Sequence, residues 1–386
     1  MVPKTFISPK FEGKRFNEHV LPIDVLRELE AYQALVADVA RLLYLDEHPG
    51  RERVPKGFAG ALRLGILKID DGCIQPEIVR LDSAPPLFEG SDYHSVARDL
   101  ISEVISEVAA GRPVPRKFPQ AAIRKFNGLG LRLRKDESLD VRSPGSAKAA
   151  RYTPALRKQI ILSHETEYEA NVCFLGRVIA LRDKDDGNLL TFESGASSFQ
   201  CPLSDARRAF VTKLYLQKHL VWLRGVGYLD RNENAKRMTK VFDMTPLSDL
   251  LDGASEHDKR LTDLGPLAAG WLDGIGEPIE VSFIEQVRTL LGQLAAAGVP
   301  SPLIFPTAEG AIQAEWACAP WEIKIEFQPH GGTARLLALS TESDDDIERE
   351  GVSASAETVI SFLGETLAMV KGASDDDDDT ASADLT

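Results

Sequence analysis

Apolar residues first recur at helical spacing: Leu21, Val25, Leu29, Tyr32, Val36, Val39, Leu42 and Leu43 predict an amphipathic helix over 22–46, closed by His48-Pro49-Gly50. The period then changes. Leu62, Leu64 and Ile66 alternate with polar neighbours, Asp70-Asp71-Gly72 supplies a turn, and Cys73 to Leu81 returns, so 58–81 reads as a hairpin. Beyond Pro85-Pro86, helical spacing resumes over 91–109, with Val96, Leu100, Val104, Ile105 and Val108 on one face. Helix, hairpin and helix together define an N-terminal module over 10–111.

The middle of the chain, 166–246, is dominated by period two. Val172, Phe174, Gly176, Val178 and Ala180 alternate along a first strand, and Asp185-Asp186-Gly187-Asn188 is a strong hairpin turn. Leu190 and Phe192 mark a second strand, and Phe199 and Cys201 a third. A helix over 205–217 follows, then strands over 220–229 and 238–244 separated by the turn 230–234. The order β-β-β-α-β-β is the connectivity of a small OB-like five-stranded barrel, a fold that binds single-stranded nucleic acid in some proteins and only protein in others.

The last third returns to mixed patterning. An acidic connector over 247–278 ends in Gly270-Trp271-Leu272-Asp273-Gly274. A C-terminal α+β module over 279–371 follows: a helix over 279–297, an antiparallel meander with strands over 311–316, 321–327 and 334–340, and a closing helix over 354–370. Residues 372–386, including Asp375 to Asp379, have no apolar content and are expected to be disordered. The expected class is therefore α+β and multidomain. The two end modules share a layout but no residue-level repeat.

Charge changes this picture in one place. Residues 1–111 carry 13 basic and 18 acidic side chains, a net of −5; residues 112–165 carry 13 and 4, a net of +9. Residues 166–246 carry 12 and 10, and residues 247–386 carry 7 and 27, a net of −20. The segment 112–165 reads as a basic connector, with a short helix over 119–127, a short strand over 129–134, a flexible stretch over 142–151 and a Thr153-Pro154 helix start. Its Arg116, Lys117, Arg124, Lys125, Arg132, Arg134 and Lys135 are interleaved with aromatics. Together with Phe192 and Phe199 of the barrel, they are the candidate nucleic-acid-binding residues. The barrel itself is nearly neutral, and its Asp183, Asp185 and Asp186 would repel phosphate. Phe192 and Phe199 equally suit a barrel core.

Catalytic chemistry is sparsely signalled. Glu322-Ile323-Lys324, with Glu309 and Glu315 upstream, has the residue types of a Mg²⁺-dependent nuclease. However, Trp321, Ile323, Ile325 and Phe327 alternate with these charges as in any half-buried strand, so a nuclease is the weakest reading. Gly128-Leu129-Gly130 and Gly225-Val226-Gly227 complete no phosphate-cradling motif, and the Asp344–Glu348 cluster lacks EF-hand spacing. Cys73, Cys173, Cys201 and Cys318 and the seven histidines are scattered, so neither a metal nor another cofactor is expected. No apolar run approaches the ~20 residues of a membrane span, and the first residues lack the apolar stretch of a signal peptide. The expectation is a cytoplasmic protein with no membrane partner.

Gly270-Trp271-Leu272-Asp273-Gly274, then Pro302, Pro306-Thr307, Gly310 and Glu315-Trp316, resemble a carboxy-terminal domain found in a group of uncharacterised bacterial proteins. Phe11-Glu12-Gly13-Lys14-Arg15-Phe16 is similar to the start of members of the same group. The likeness covers the two ends of the chain and carries no catalytic residues. It implies a setting beside toxin–antitoxin or phage-defence genes. Taken together, the expectation is a non-enzymatic accessory or adaptor protein that docks a protein partner, with single-stranded nucleic-acid binding through the barrel and 112–165 as the alternative.

Overall fold

The computed structural model describes residues 5–16, 21–58, 62–69, 75–81, 92–146, 150–182, 188–253, 257–342 and 346–373. The turns read at 70–72 and 185–187, Cys73, Pro85-Pro86, Asp183, Asp344 and the acidic tail lie outside the described residues. The chain is α+β and divides into two compact units: residues 1–171 with 228–234, and residues 172–227 with 235–386. None of the described helices is long and apolar enough to cross a membrane.

The first unit contains β1 (Thr5–Ile7), β2 (Lys10–Glu12), α1 (Leu26–Glu47), β3 (Leu64–Ile69), β4 (Pro76–Arg80), α2 (Tyr93–Ala109), β5 (Ser138–Asp140), β6 (Arg151–Tyr152) and α3 (Pro154–Leu162). Helix α1 buries Tyr32, Leu35, Val36, Val39, Ala40 and Tyr44 along one stripe, as the 3.6-residue period requires. The hairpin β3–β4 gains a third strand, β1, in the order β1-β4-β3. In α2 the buried stripe is Ala97, Leu100, Ile101, Val104 and Ile105, whereas Val96, read as a core position, is 40% exposed.

Residues 112–165 do not form a solvated connector. Phe118, Ile123, Phe126, Leu129, Leu139, Val141, Ala150 and Tyr152 are all buried in the first unit. The helix read at 119–127 is a 3-10 helix over Gln120–Asn127. The strand read at 129–134 is instead a run of turns, with Gly130 at φ +77 and the Tyr152 ring where a Cβ would stand. The stretch read as flexible, 142–151, ends in β6, and β6 joins β5 and β2 in a small antiparallel sheet. Thr153 caps α3 as expected, its hydroxyl oxygen accepting the Leu156 N–H at 3.2 Å.

The second unit holds most of β7 (Glu167–Arg182), then β8 (Asn188–Ser194), β9 (Ser197–Leu203), α4 (Asp205–Gln217), β10 (Val221–Asp230) and β11 (Ala235–Pro246). These strands close into a barrel in the ring order β10-β11-β9-β8-β7, with β9 and β11 parallel and β7–β8 and β8–β9 antiparallel. Gly176 and Gly225 lie where strands come too close for side chains. A Cβ at Gly176 would strike the Glu193 carbonyl oxygen, and one at Gly225 the Lys240 carbonyl oxygen.

The segment 247–278, read as a connector, is partly core. Leu247, Leu251, Leu261 and Leu264 are buried, the last two on α5 (His257–Leu264). Then follow α6 (Val281–Ala296), β12 (Leu303–Pro306), β13 (Ile312–Cys318), β14 (Trp321–Phe327), β15 (Thr333–Ser340), β16 (Ile347–Ser353) and α7 (Ala356–Ala373). Strands β12 to β16 make an antiparallel sheet in sequence order, so the three-strand meander read from the sequence is flanked by two further strands. Trp316, Ile323, Ile325, Phe327 and Leu336 share one cluster with Phe283, Leu290 and Leu294 of α6 and Phe362, Leu363 and Leu367 of α7. Leu220 and Trp222 belong to the same cluster, which fuses the barrel and the sheet into one core.

Within the resembling segments, the Trp271 indole lies over Gly276 and donates to the Glu277 carbonyl oxygen at 3.1 Å. The Glu277 N–H donates to the Ala308 carbonyl oxygen in the Thr307–Gly310 turn. These motif residues therefore form a single turn assembly.

Gly225→Ala should cost about 2 kcal/mol, because the added methyl group has nowhere to go without parting β10 from β11. Urea unfolding followed by the fluorescence of buried Trp222 checks this. Gly50→Ala, where nothing lies within 4 Å of the added carbon, is the comparison. Equal midpoints for the two variants would exclude the close approach.

Candidate interaction surface

The predicted basic residues lie in the first unit, where Lys117, Lys125 and Arg132 face carboxylates. Glu28 is fully buried and accepts hydrogen bonds from the Gly130 N–H and, at 3.0 Å, from the Arg132 N–H. The Arg132 guanidinium lies 3.9 Å away. Burial raises the Glu28 pKa, and the two backbone donors and the Arg132 and Arg157 charges oppose that rise. Arg157, also buried, donates to the carbonyl oxygens of Phe126 at 3.2 Å and Asn127 at 2.6 Å. Buried Glu137 accepts from the Arg15 side chain at 2.9 and 3.0 Å and from the Arg134 N–H at 2.9 Å. Lys117 pairs with Glu103 at 2.6 Å and Lys125 with Asp38 at 2.8 Å. Arg116, Arg124 and Lys135 are exposed and make no ion pair among the described residues.

Phe192 and Phe199 are buried inside the barrel, with ring centroids 5.7 Å apart, and Phe174 lies 4.8 Å from Phe199. Neither phenylalanine is presented to a base. Cys201 shares that interior, and burial pushes its thiol up to about 12, so it is a packing residue and not a nucleophile. Cys173 is half-buried and Cys318 buried.

The Glu322–Lys324 pair sits on the outer face of the C-terminal sheet. The Lys324 ammonium lies 3.4 Å from Glu322 and 3.9 Å from Glu315, its partner across the β13–β14 register. Such an arrangement is a cross-strand ion pair. No group of three metal-ligating side chains converges among the described residues. Asp346 accepts the Ser340 N–H at 3.3 Å.

The sequence reading missed a surface around α4, β10 and β11. The barrel part of the second unit, 172–227 with 235–246, carries ten described cations: Arg177, Arg182, Arg207, Arg208, Lys213, Lys218, Arg224, Lys236, Arg237 and Lys240. Its described carboxylates are three: Glu193, Asp205 and Asp243. Of the acidic residues that made 166–246 look neutral, Glu167, Glu169, Asp230 and Glu233 belong to the first unit, and Asp183, Asp185 and Asp186 lie outside the described residues. The Arg207 guanidinium donates to the carbonyl oxygens of Val241 at 3.2 Å and Phe242 at 2.8 Å, tying α4 to β11. Arg224 and Lys240 stand 5.9 and 5.1 Å from the centroid of the Phe242 ring. Residue spacing alone signalled this cluster in Arg207-Arg208 and Lys236-Arg237, but a net charge summed along the chain erased it.

Helix α4 is itself unusual. Of its 13 residues only Val211 and Leu214 are buried, while Phe210, Tyr215 and Leu216 are 40%, 37% and 72% exposed. No family model, curated protein or solved structure matches the chain.

Elsewhere in the first unit, His94 is 4% exposed, beside Arg80, Asp92 and the Phe58 ring. Burial first, and the Arg80 charge second, lower its pKa to about 4, against an opposing pull from Asp92. An unfolded histidine titrates near 6.5, so between about pH 6.5 and 4 the unfolded chain binds more protons and stability falls as pH falls. From pH 7 to 5 this residue should remove on the order of 2 kcal/mol. Hydrogen exchange of the α2 amides reads the loss, and His94→Phe should flatten it. An unchanged pH profile in that variant would overturn the assignment.

Proposed function

We propose that this protein is a non-enzymatic adaptor whose barrel acts as an OB-like binding module for a protein partner. The ring order runs first, second, third, fifth, fourth strand, with the third and fifth parallel and a helix between the third and fourth. That connectivity supports the OB-like reading. The aromatic-filled interior leaves the barrel its outer surface for recognition.

The observation that carries the proposal is α4. Scattered exposed apolar residues are ordinary on a soluble protein. Here three large ones fall within seven residues of a helix that rests on two buried anchors, among Arg207, Arg208 and Lys213. Aromatic side chains and arginine are the groups enriched at protein interfaces, and lysine in their surroundings suits a partner with an acidic rim. In this reading the turn assembly of Trp271 and Gly276 supports the fold of the second unit, and the toxin–antitoxin or phage-defence setting supplies the partner.

Affinity capture from the native host with the full chain, compared with a Phe210→Ser/Leu216→Ser chain, tests the proposal. The expected result is a protein retained by the first and lost from the second, with both chains melting at the same temperature. The same protein recovered in equal amounts by both chains would sink the reading.

A further inference from the structure

We propose that the β10–β11 wall of the barrel, beside α4, binds single-stranded nucleic acid through its phosphates. This goes beyond the protein-docking reading and is tested at other residues.

The first support is an excess of positive charge in the barrel. In the first unit, cations are spent on carboxylates: Arg15 on Glu137, Lys117 on Glu103, Lys125 on Asp38, Arg132 on Glu28 and Arg80 on Asp92. The sequence of the barrel part of the second unit carries eleven cations and six carboxylates, a net of +5. Arg207, Lys213, Lys218 and Lys240 are exposed and make no ion pair among the described residues. Like charges held at this density repel one another, so the surface is costly to the free protein and is relieved by a polyanion.

The second support is the layout of the charges. Lys236, Arg237, Thr239 and Lys240 are all exposed on β11, and Met238 between them is buried. Lys236 and Lys240 are four residues apart, roughly 13 Å along a strand, a span comparable to two phosphate steps of an extended single strand. Arg237 lies opposite Gln200 in the parallel β9–β11 pair, which adds an amide beside the row. At the other end of the row, Arg224 and Lys240 flank the Phe242 ring, and Arg207 is held against the same backbone. A protein interface of useful size has an apolar centre; the exposed part of β11 has none. A row of long cations with one aromatic at its end suits a phosphate backbone and a stacked base instead.

The location also matters. On the β8–β9 wall, the outward residues are Leu189, Thr191 and Glu193 with Ser198, Gln200 and Pro202, a set without a single cation. The aromatics of those strands point inward. The cations are found instead on α4, β10 and β11, with Arg177 and Arg182 on β7.

The test is fluorescence anisotropy of the full chain with a fluorescein-labelled oligothymidylate of roughly twenty nucleotides, longer than the site size of such a barrel. The expected result is binding at low salt, with log affinity falling against log salt at a slope of about −3, as for about four neutralised phosphates of a single strand. Lys236→Glu/Lys240→Glu should weaken binding at least tenfold and flatten the slope, without changing the melting temperature. If that variant melts early, Lys236→Gln/Lys240→Gln gives the same readout without charge reversal. Four results would overturn the proposal. They are no binding at low salt, an equal affinity for duplex DNA, an equal affinity for poly-L-aspartate of matched charge, and loss of binding in an Arg124→Glu/Lys135→Glu chain while the barrel variant still binds. Capture of the protein partner depends on Phe210 and Leu216, so its failure and a failure here are read separately.

Discussion

A buried charge must be satisfied where it lies, and this requirement shapes the first unit more than any other single constraint. Glu28 projects from α1 into the core with no water to solvate it. Its two oxygens are taken by the backbone N–H groups of Gly130 and Arg132, and the Arg132 guanidinium is drawn in behind them. Arg157, coming from α3, holds the preceding carbonyls of Phe126 and Asn127, and the Tyr152 hydroxyl holds that of Leu129. Irregular backbone from 126 to 132 can be buried only because side chains from two helices and a strand satisfy it. Arg132 and Arg157 are therefore structural cations, while Arg116, Arg124 and Lys135 stay exposed.

The barrel is governed by a different constraint, the closeness of its strands. Gly176 and Gly225 let neighbouring backbones approach, and Phe174, Phe192, Phe199 and Cys201 fill the interior that remains. Strand β10 is buried on both faces: Val221 and Leu223 alternate with Trp222, and Trp222 joins the core of the C-terminal sheet. A barrel strand that also serves a second core cannot be a free-standing module. This is why the linker expected at 247–278 supplies Leu247, Leu251 and Leu261 to that same core.

Elements whose burial follows one period were legible in the sequence. Helices α1, α2, α6 and α7, the barrel strands and the meander all lie within a few residues of where periodicity places them. The failures share a cause, since each depends on contacts remote in sequence. Leu129, Leu131 and Leu133 alternate like a strand, yet Gly130 adopts a positive φ that Tyr152 and Glu28 impose from elsewhere. Glu28 lies beside Leu29 on the predicted helix face, and nothing local shows that the carboxylate is the buried one. The candidate stacking rings Phe192 and Phe199 follow strand alternation correctly, but alternation alone does not say which face of a closing sheet becomes the inside. A surface helix such as α4 gives the same periodic signal whether or not its apolar residues find partners.

Charge was the least legible property, for a physical reason. Electrostatic potential depends on distance in space, whereas a segment sum depends on order in the chain. Residues 112–165, with a net charge of +9, place Lys117, Lys125 and Arg132 against carboxylates contributed by α1 and α2. Residues 166–246, with 12 cations against 10 carboxylates, place four of those carboxylates in the first unit and leave the barrel wall positive. Folding therefore pairs part of the charge of 112–165 and separates the charges of 166–246, and a segment sum reports neither. A cation already hydrogen-bonded to a buried carboxylate would have to give up that partner to bind phosphate, whereas Lys240 would give up only water and its contact with the Phe242 ring. Between two surfaces of equal formal charge, the one with fewer internal partners loses less on meeting a polyanion.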